Sequence, residues 1–107
     1  MSRRKARELA FKVLFQVDQV NANPRQAFDY LLPESGLTEK DYHFSWELTE
    51  GTLAHQAEID RRISTYSRDW TINRMPSVDR NIMRVAAFEI LFMDNSQPVV
   101  AIDEAVE

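Results

Sequence analysis

The segment WTINRMPSVDRNIMRVAAFEILFMDN, residues 70–95, decides the fold class. Pro76 interrupts it, Ser77 is a favourable N-cap residue, and Asp79 follows in the first turn, where a carboxylate stabilises the helix dipole. From Val78 to Met93 the apolar residues then lie on nearly all sides of a helical wheel. We therefore predict that this stretch, with Ser77 as its N-cap, forms the central and most buried helix.

Helical periodicity extends along the rest of the chain. A first helix is predicted from about Arg3 to Val20, with an apolar stripe facing the core, and it stops at the turn before Pro24. Residues 99–107 begin a further helix that has no stop signal at Glu107. The remaining helices are predicted over residues 25–32, from Thr38 to about 54, and from about 55 to 66. The sequence thus predicts an all-α fold, arranged as a compact helical bundle.

Two local signals refine the helix that follows Thr38. Thr38 is a typical N-cap residue, and Asp41 three positions later indicates a capping box. Gly51 lies inside the same helix, where glycine costs roughly 1 kcal/mol relative to alanine. We therefore expect Gly51 to permit close packing of another helix.

Composition excludes several classes of protein. The 107 residues are 44% apolar, which suits one small domain, and the absence of cysteine excludes disulfides and Cys-ligated metals. No apolar run approaches the roughly 18 residues of a membrane span, and the basic start lacks the apolar region of a secretory signal. We expect a cytoplasmic protein without membrane association.

Charge is distributed unevenly along the chain. The formal net charge is -4, yet residues 1–12 carry five basic side chains against Glu8, so the other 95 residues sum to -8. A basic terminus on an acidic body indicates one dedicated anionic partner.

Catalytic motifs are absent from the sequence. His43 and His55 have no ligand or acid/base partner at a recognisable spacing, and we expect both at the surface or at a boundary. The chain contains no phosphate-binding loop, dinucleotide fingerprint or nucleophile elbow. These observations predict a protein that is not an enzyme and binds no cofactor or metal.

One face of the first helix carries a recognisable chemical pattern. Arg4, Arg7, Glu8, Phe11 and Phe15 fall within about 100° of arc, opposite the apolar stripe. Guanidinium groups hold phosphates and aromatic rings stack on unpaired bases, which favours single-stranded nucleic acid as the ligand. A solvated leader, a protein contact, or aromatic rings covered by another helix would give the same pattern. RNA contact and helix cover predict opposite burial for the two rings.

A second charged group lies at the start of the 78–93 helix. Arg74, Asp79 and Arg80 could form a rim for a protein partner, although Asp79 also complements the helix dipole. Glu89 has apolar neighbours in the sequence, and we expect it to form a structural ion pair or hydrogen bond.

Three stretches resemble the bacterial NusB family of transcription antitermination factors. They are RRKARELAFKVLFQ at 3–16, RMPSVDRNIMR with AAFEIL at 74–91, and VAIDEAVE at 100–107. The resemblance implies an all-helical fold of two packed sub-bundles, here residues 1–54 and 55–107, without enzymatic activity. It also implies binding to the boxA element of ribosomal RNA leader transcripts, pairing with the ribosomal protein NusE, and a role in the antitermination complex of RNA polymerase.

The resemblance also implies functional residues. The resemblance implies RNA-binding roles for Arg3, Arg4, Lys5, Arg7 and Phe15. Lys12, a basic residue of the same N-terminal stretch, is predicted to bind RNA with them. Phe15 stands where many members of the family have tyrosine, which keeps the stacking surface and loses a hydroxyl. The predicted protein-partner residues are Arg74, Asp79 and Arg80, of which Asp79 matches an acidic position at the NusE contact.

The chain departs from the family after Glu107, where members continue with the rest of that helix and a further one. We therefore expect the second sub-bundle to be incomplete, with the C-terminus truncated, and the uncovered helix face to lower stability or cause self-association. The alternative to a free-standing factor is the NusB-like RNA-recognition module of an RNA cytosine methyltransferase, which a following cofactor-binding domain would identify.

Overall fold

The computed structural model describes residues 2–66 and 72–93. The α-helices in these residues are α1 (Ser2–Val20), α2 (Pro24–Leu31), α3 (Glu39–Ala54), α4 (Gln56–Tyr66) and α5 (Ser77–Phe88). A 3-10 turn, Leu32–Glu34, follows α2, and a π-helical turn, Glu89–Met93, continues α5. The described residues contain no strand, so the all-α prediction is confirmed. The predicted helix at 99–107 lies outside the described residues.

The boundary between α1 and α2 depends on two asparagines. Asn21 has a left-handed backbone with φ of 56°, which ends α1. Asn23 is the N-cap of α2, because its Oδ1 accepts a hydrogen bond from the backbone N–H of Gln26 at 3.0 Å. Pro24 occupies the first helical position, where its missing N–H has no cost. The predicted end of the first helix is therefore confirmed.

Two clusters of buried apolar side chains form the core, and α1 contributes to both. The first consists of Ala6, Leu9, Val13, Phe28 and Leu37. The second is larger and consists of Ala10, Leu14, Leu48, Ile59, Ile63, Ile72, Met75, Val85 and Phe88. The two clusters make α1 the central helix of the described structure. The division into sub-bundles 1–54 and 55–107 stays a prediction.

The prediction that the 78–93 helix is the most buried one is wrong. The buried face of α5 consists of Asn81, Arg84, Val85 and Phe88. Large apolar side chains on other sides of the helix and its π-helical turn are exposed, namely Val78, Ile82, Met83 and Ile90. The helix packs with one side toward α1, α3 and α4, and two polar residues occupy that side because they have partners there.

Gly51 allows α3 and α5 to pack closely, as predicted. A Cβ atom built on Gly51 would lie 2.0 Å from Cζ of Phe88, far inside van der Waals contact. The Phe88 ring is buried, so it fills the space that a side chain at position 51 would need.

The N-cap predictions are partly wrong. Pro76, not Ser77, is the N-cap of α5, because its carbonyl accepts the first helical hydrogen bond, from the N–H of Arg80 at 2.9 Å. Thr38 is the N-cap of α3, as predicted, but its side chain caps no backbone N–H. Its hydroxyl donates instead to the Asp41 carboxylate at 3.1 Å, so the capping box is not formed.

Candidate nucleic-acid interface

The first two turns of α1 carry a concentration of positive charge. Arg3, Arg4 and Lys5 are exposed, Arg7 is half-buried, and Lys12 is exposed further along the helix. The first turn contains no acidic residue. Because the N-terminus of a helix is the positive end of its dipole, each cation there is unfavourable by roughly 0.3–1 kcal/mol. An anionic ligand would relieve this repulsion.

The exposed cations of α1 make different contacts with the rest of the protein. Arg4 forms an exposed ion pair with Glu8 one turn later, at 3.6 Å, which contributes little to stability. The guanidinium carbon of Arg3 lies 4.2 Å from the centre of the Phe44 ring on α3. Lys5 extends over the loop after the 3-10 turn, where its Nζ lies 3.2 Å from the position that a Cβ on Gly36 would take.

Arg7 joins α1 to the π-helical turn after α5. Its Nε and one terminal nitrogen donate to the two carboxylate oxygens of Glu89, at 2.9 and 2.6 Å. The two side chains are 34% and 17% exposed, so water screens this pair less than a surface pair. The expectation that Glu89 forms a structural ion pair is confirmed. The role of Arg7 in RNA binding stays a prediction.

Phe11 and Phe15 lie side by side on α1, and both are half-buried. Their ring centroids are 6.0 Å apart, with a tilt of 37° between the planes. The geometry is that of a favourable aromatic pair. The two alternatives predicted rings fully exposed to RNA or rings fully covered by another helix, and half-buried rings agree with neither. The assignment of Phe15 to RNA binding stays a prediction.

The second charged group surrounds the start of α5. Arg74 and Asp79 are exposed there, while Arg80 is half-buried. The Arg80 guanidinium donates to Oδ2 of Asp18 on α1, at 2.7 and 3.0 Å, and lies within 3.5 Å of two backbone carbonyls of the 72–75 turn. The arrangement leaves Arg74 and Asp79 as the more accessible charges of the predicted partner rim.

A polar network under this rim was not predicted from the sequence. Arg84, buried on α5, donates from two nitrogens to the two carboxylate oxygens of Asp60 on α4, both at 2.8 Å. Asn81 donates to Asp18 at 2.9 Å and to the carbonyl of Ser77 at 2.8 Å. The network ties α1, α4 and α5 together. The sequence did contain one signal for the burial of Asn81 and Arg84. Together with Val85 and Phe88 they follow the i, i+3, i+4, i+7 spacing of a buried helical stripe.

The Asp18 carboxyl has a perturbed pKa. Burial raises this pKa, but hydrogen bonds from Arg80 and Asn81 and the positive charges of Arg80 and Arg84 outweigh burial, and the pKa lies below its ordinary value of 3.8. A carboxyl group whose pKa is lowered in the folded state stabilises the protein at pH values above its ordinary pKa. The stabilisation is lost as the pH falls through the lowered pKa.

Replacing Asp18 by asparagine should therefore have a pH-dependent effect. We expect the variant to be less stable than the wild type above about pH 5, and the difference to shrink as the pH falls below about 4. Urea unfolding at a series of pH values measures it. Asp29→Asn is the control, since that carboxylate is 57% exposed in its pair with Arg25. A difference between wild type and Asp18→Asn that stayed constant with pH would contradict the prediction.

The remaining predictions concern the two histidines and membrane-spanning helices. His43 is exposed, and His55 is exposed while its ring stacks on Phe92 with centroids 4.3 Å apart, as expected for boundary histidines. Across residues 2–66 and 72–93, no helix has the length and apolar character needed to cross a membrane.

Sequence comparison places the chain among known proteins. Residues 4–107 match the model of the NusB family. A protein of Syntrophomonas wolfei named "Transcription antitermination protein NusB" is 65% identical over 107 residues, which are all of this chain and 80% of that protein. A protein of the same name from Pelotomaculum thermopropionicum is 48% identical over 107 residues, all of this chain and 74% of its own length.

Structure comparison gives the same result. The fold matches a chain in the crystal structure of a plectonemic RNA supercoil with a TM-score of 0.84 and 30% identity, over 99% of this chain and 78% of that one. It matches the crystal structure of antitermination factors NusB and NusE in complex with dsRNA with a TM-score of 0.81 and 29% identity, over 98% of this chain and 78% of that one.

Proposed function

The chain belongs to the NusB family, and we propose from this membership that it binds boxA-type leader RNA together with NusE and so promotes read-through by RNA polymerase. The relatives are named as antitermination proteins, which are not enzymes. A factor that acts on nascent bacterial transcripts works in the cytoplasm, and we place this protein there.

The observation that carries the RNA proposal is the basic start of α1. Exposed cations gathered at the positive end of a helix dipole destabilise the isolated helix, while the rest of the chain is strongly acidic. Such an arrangement is favourable when phosphate groups bind there. The RNA-binding residues of the proposal are Arg3, Arg4, Lys5, Arg7, Lys12 and Phe15.

The NusE contact of the proposal lies at the start of α5. Arg74 and Asp79 are exposed charges on either side of the start of α5, and exposed charges at an interface rim set orientation and association rate. Arg80 belongs to the same rim, but its ion pair with Asp18 gives it a supporting role.

Removing two exposed cations tests the RNA interface. We expect Arg4→Gln combined with Lys5→Gln to weaken binding of single-stranded boxA-type RNA about 10-fold. The slope of log affinity against log salt concentration, which is negative, should become less steep by about 1.4. Arg7 is unsuitable for this test because its loss would leave Glu89 without its ion-pair partner. Fluorescence anisotropy at several salt concentrations, with and without NusE, provides the measurement.

The matched control removes two cations elsewhere. Arg61→Gln with Arg62→Gln changes the net charge equally on the exposed side of α4. Equal losses in the two double variants would mean that net charge, and not a local interface, governs binding. A duplex of the same sequence shows whether unpaired bases are preferred.

Two alternatives give different outcomes. A protein-interaction module without RNA contact would bind NusE with the same affinity after loss of the N-terminal cations. The methyltransferase module is not favoured, because the relatives described above are antitermination proteins.

A further inference from the structure

Phe44 of α3 lies under two cations of α1. The guanidinium carbon of Arg3 is 4.2 Å from the ring centre, and that of Arg7 is 5.9 Å from it. Both distances are within the roughly 6 Å at which a cation is attracted to the face of an aromatic ring. One aromatic ring of a different helix is therefore shared by two of the proposed RNA-binding residues.

The Phe44 ring is also fixed in place. It is half-buried and packs against both core clusters, so its position is set by the centre of the bundle. Arg7 is in turn held by two hydrogen bonds to Glu89. A rigid ring therefore restricts Arg3, which is otherwise an exposed side chain near the helix end.

Restriction of Arg3 matters for binding a phosphate. A free arginine loses rotamer entropy when it is immobilised on a ligand, and an arginine already ordered loses less. Contact with a ring uses the flat face of the guanidinium group, whereas phosphate binds to the N–H groups at its edge. Phe44 can therefore order Arg3 without competing with RNA for its hydrogen-bond donors.

We propose that Phe44 is a positioning residue of the RNA interface, which holds Arg3, with Arg7 beside it, in the orientation that receives an RNA phosphate. Phe44 itself need not touch RNA. This inference rests on the proposed RNA-binding function and extends the interface from α1 to α3.

The first test compares two replacements of Phe44. Phe44→Leu keeps an apolar side chain and removes the ring, and we expect about 3- to 10-fold weaker binding of single-stranded boxA-type RNA. Phe44→Tyr keeps the ring face, and we expect affinity within about 2-fold of the wild type. Leu53→Val is the control for core packing, because Leu53 is a half-buried residue of the same helix that packs on the larger cluster. It should lower thermal stability and leave RNA affinity unchanged.

The second test asks whether Phe44 acts through Arg3. In an Arg3→Gln background, Phe44→Leu should weaken RNA binding by less than about 2-fold, because the cation it positions is gone. An undiminished loss in that background, or wild-type affinity for Phe44→Leu alone, would overturn the positioning role while leaving RNA binding intact. If the wild type shows no salt-dependent RNA binding, the proposed function fails, and this inference fails with it.

Discussion

Replacing Arg84 by methionine is expected to lower the free energy of unfolding by about 3 kcal/mol, which is the largest loss that we predict for a single side chain. The Arg84 side chain is 7% exposed, and its guanidinium group donates two 2.8 Å hydrogen bonds to Asp60. Methionine fills a similar volume but leaves a carboxylate that is 21% exposed without this partner. Urea unfolding followed by circular dichroism measures the difference.

Two further variants separate the ion pair from other effects. Arg62→Met breaks an exposed pair with Glu58 on α4 and should cost less than about 0.5 kcal/mol. Asp60→Leu in the Arg84→Met background removes the stranded carboxylate and should recover most of the lost stability. If Arg62→Met and Arg84→Met cost the same, burial of the pair would have no energetic role.

Replacing Gly51 by alanine should also destabilise the protein, by about 2 kcal/mol. Alanine favours a helix over glycine by roughly 1 kcal/mol, so an increase in stability would be expected at an exposed position. Here the new methyl group would lie 2.0 Å from Phe88 Cζ, and the buried Phe88 ring must shift to admit it. Thermal and urea unfolding should both show the loss.

A second replacement tests whether Phe88 causes this loss. Phe88→Leu alone creates a cavity and lowers stability. Gly51→Ala in the Phe88→Leu background should then be neutral or stabilising, because the ring that the methyl group would meet is absent. Simple addition of the two losses would show that something other than contact with Phe88 makes glycine necessary at position 51.

Local patterns in the sequence predicted much of the fold. The turn between α1 and α2 followed from Pro24, and close packing at Gly51 followed from a glycine inside a strong helical pattern. The orientation of α5 did not follow. A hydropathy pattern counts Asn81 and Arg84 as surface residues, and their burial depends on carboxylates of α1 and α4 that are distant in the sequence.

In the candidate interface, too, contacts between residues distant in the sequence could not be predicted from local patterns. The cations of α1 were identified from their residue types and local spacing, but the partners of individual cations were not. Arg7 pairs with Glu89, 82 positions away, and Arg80 pairs with Asp18, 62 positions away. No local pattern contains such a pairing, since it depends on how whole helices are placed against one another.

The π-helical turn after α5 determines how this part of the chain can change in length. A π turn contains about one residue more than an α turn, so it behaves as an insertion inside a continuous helix. Glu89 at its start reaches Arg7, and Phe92 near its end stacks on His55. Because the wider turn takes up the extra residue, deleting one residue from Glu89–Met93 would return this stretch to α-helical geometry with little net rotation of the side chains at its end. The contacts of Glu89 and Phe92 therefore lie on a stretch that accommodates one extra residue by widening the turn, and not by turning one contact away from the other.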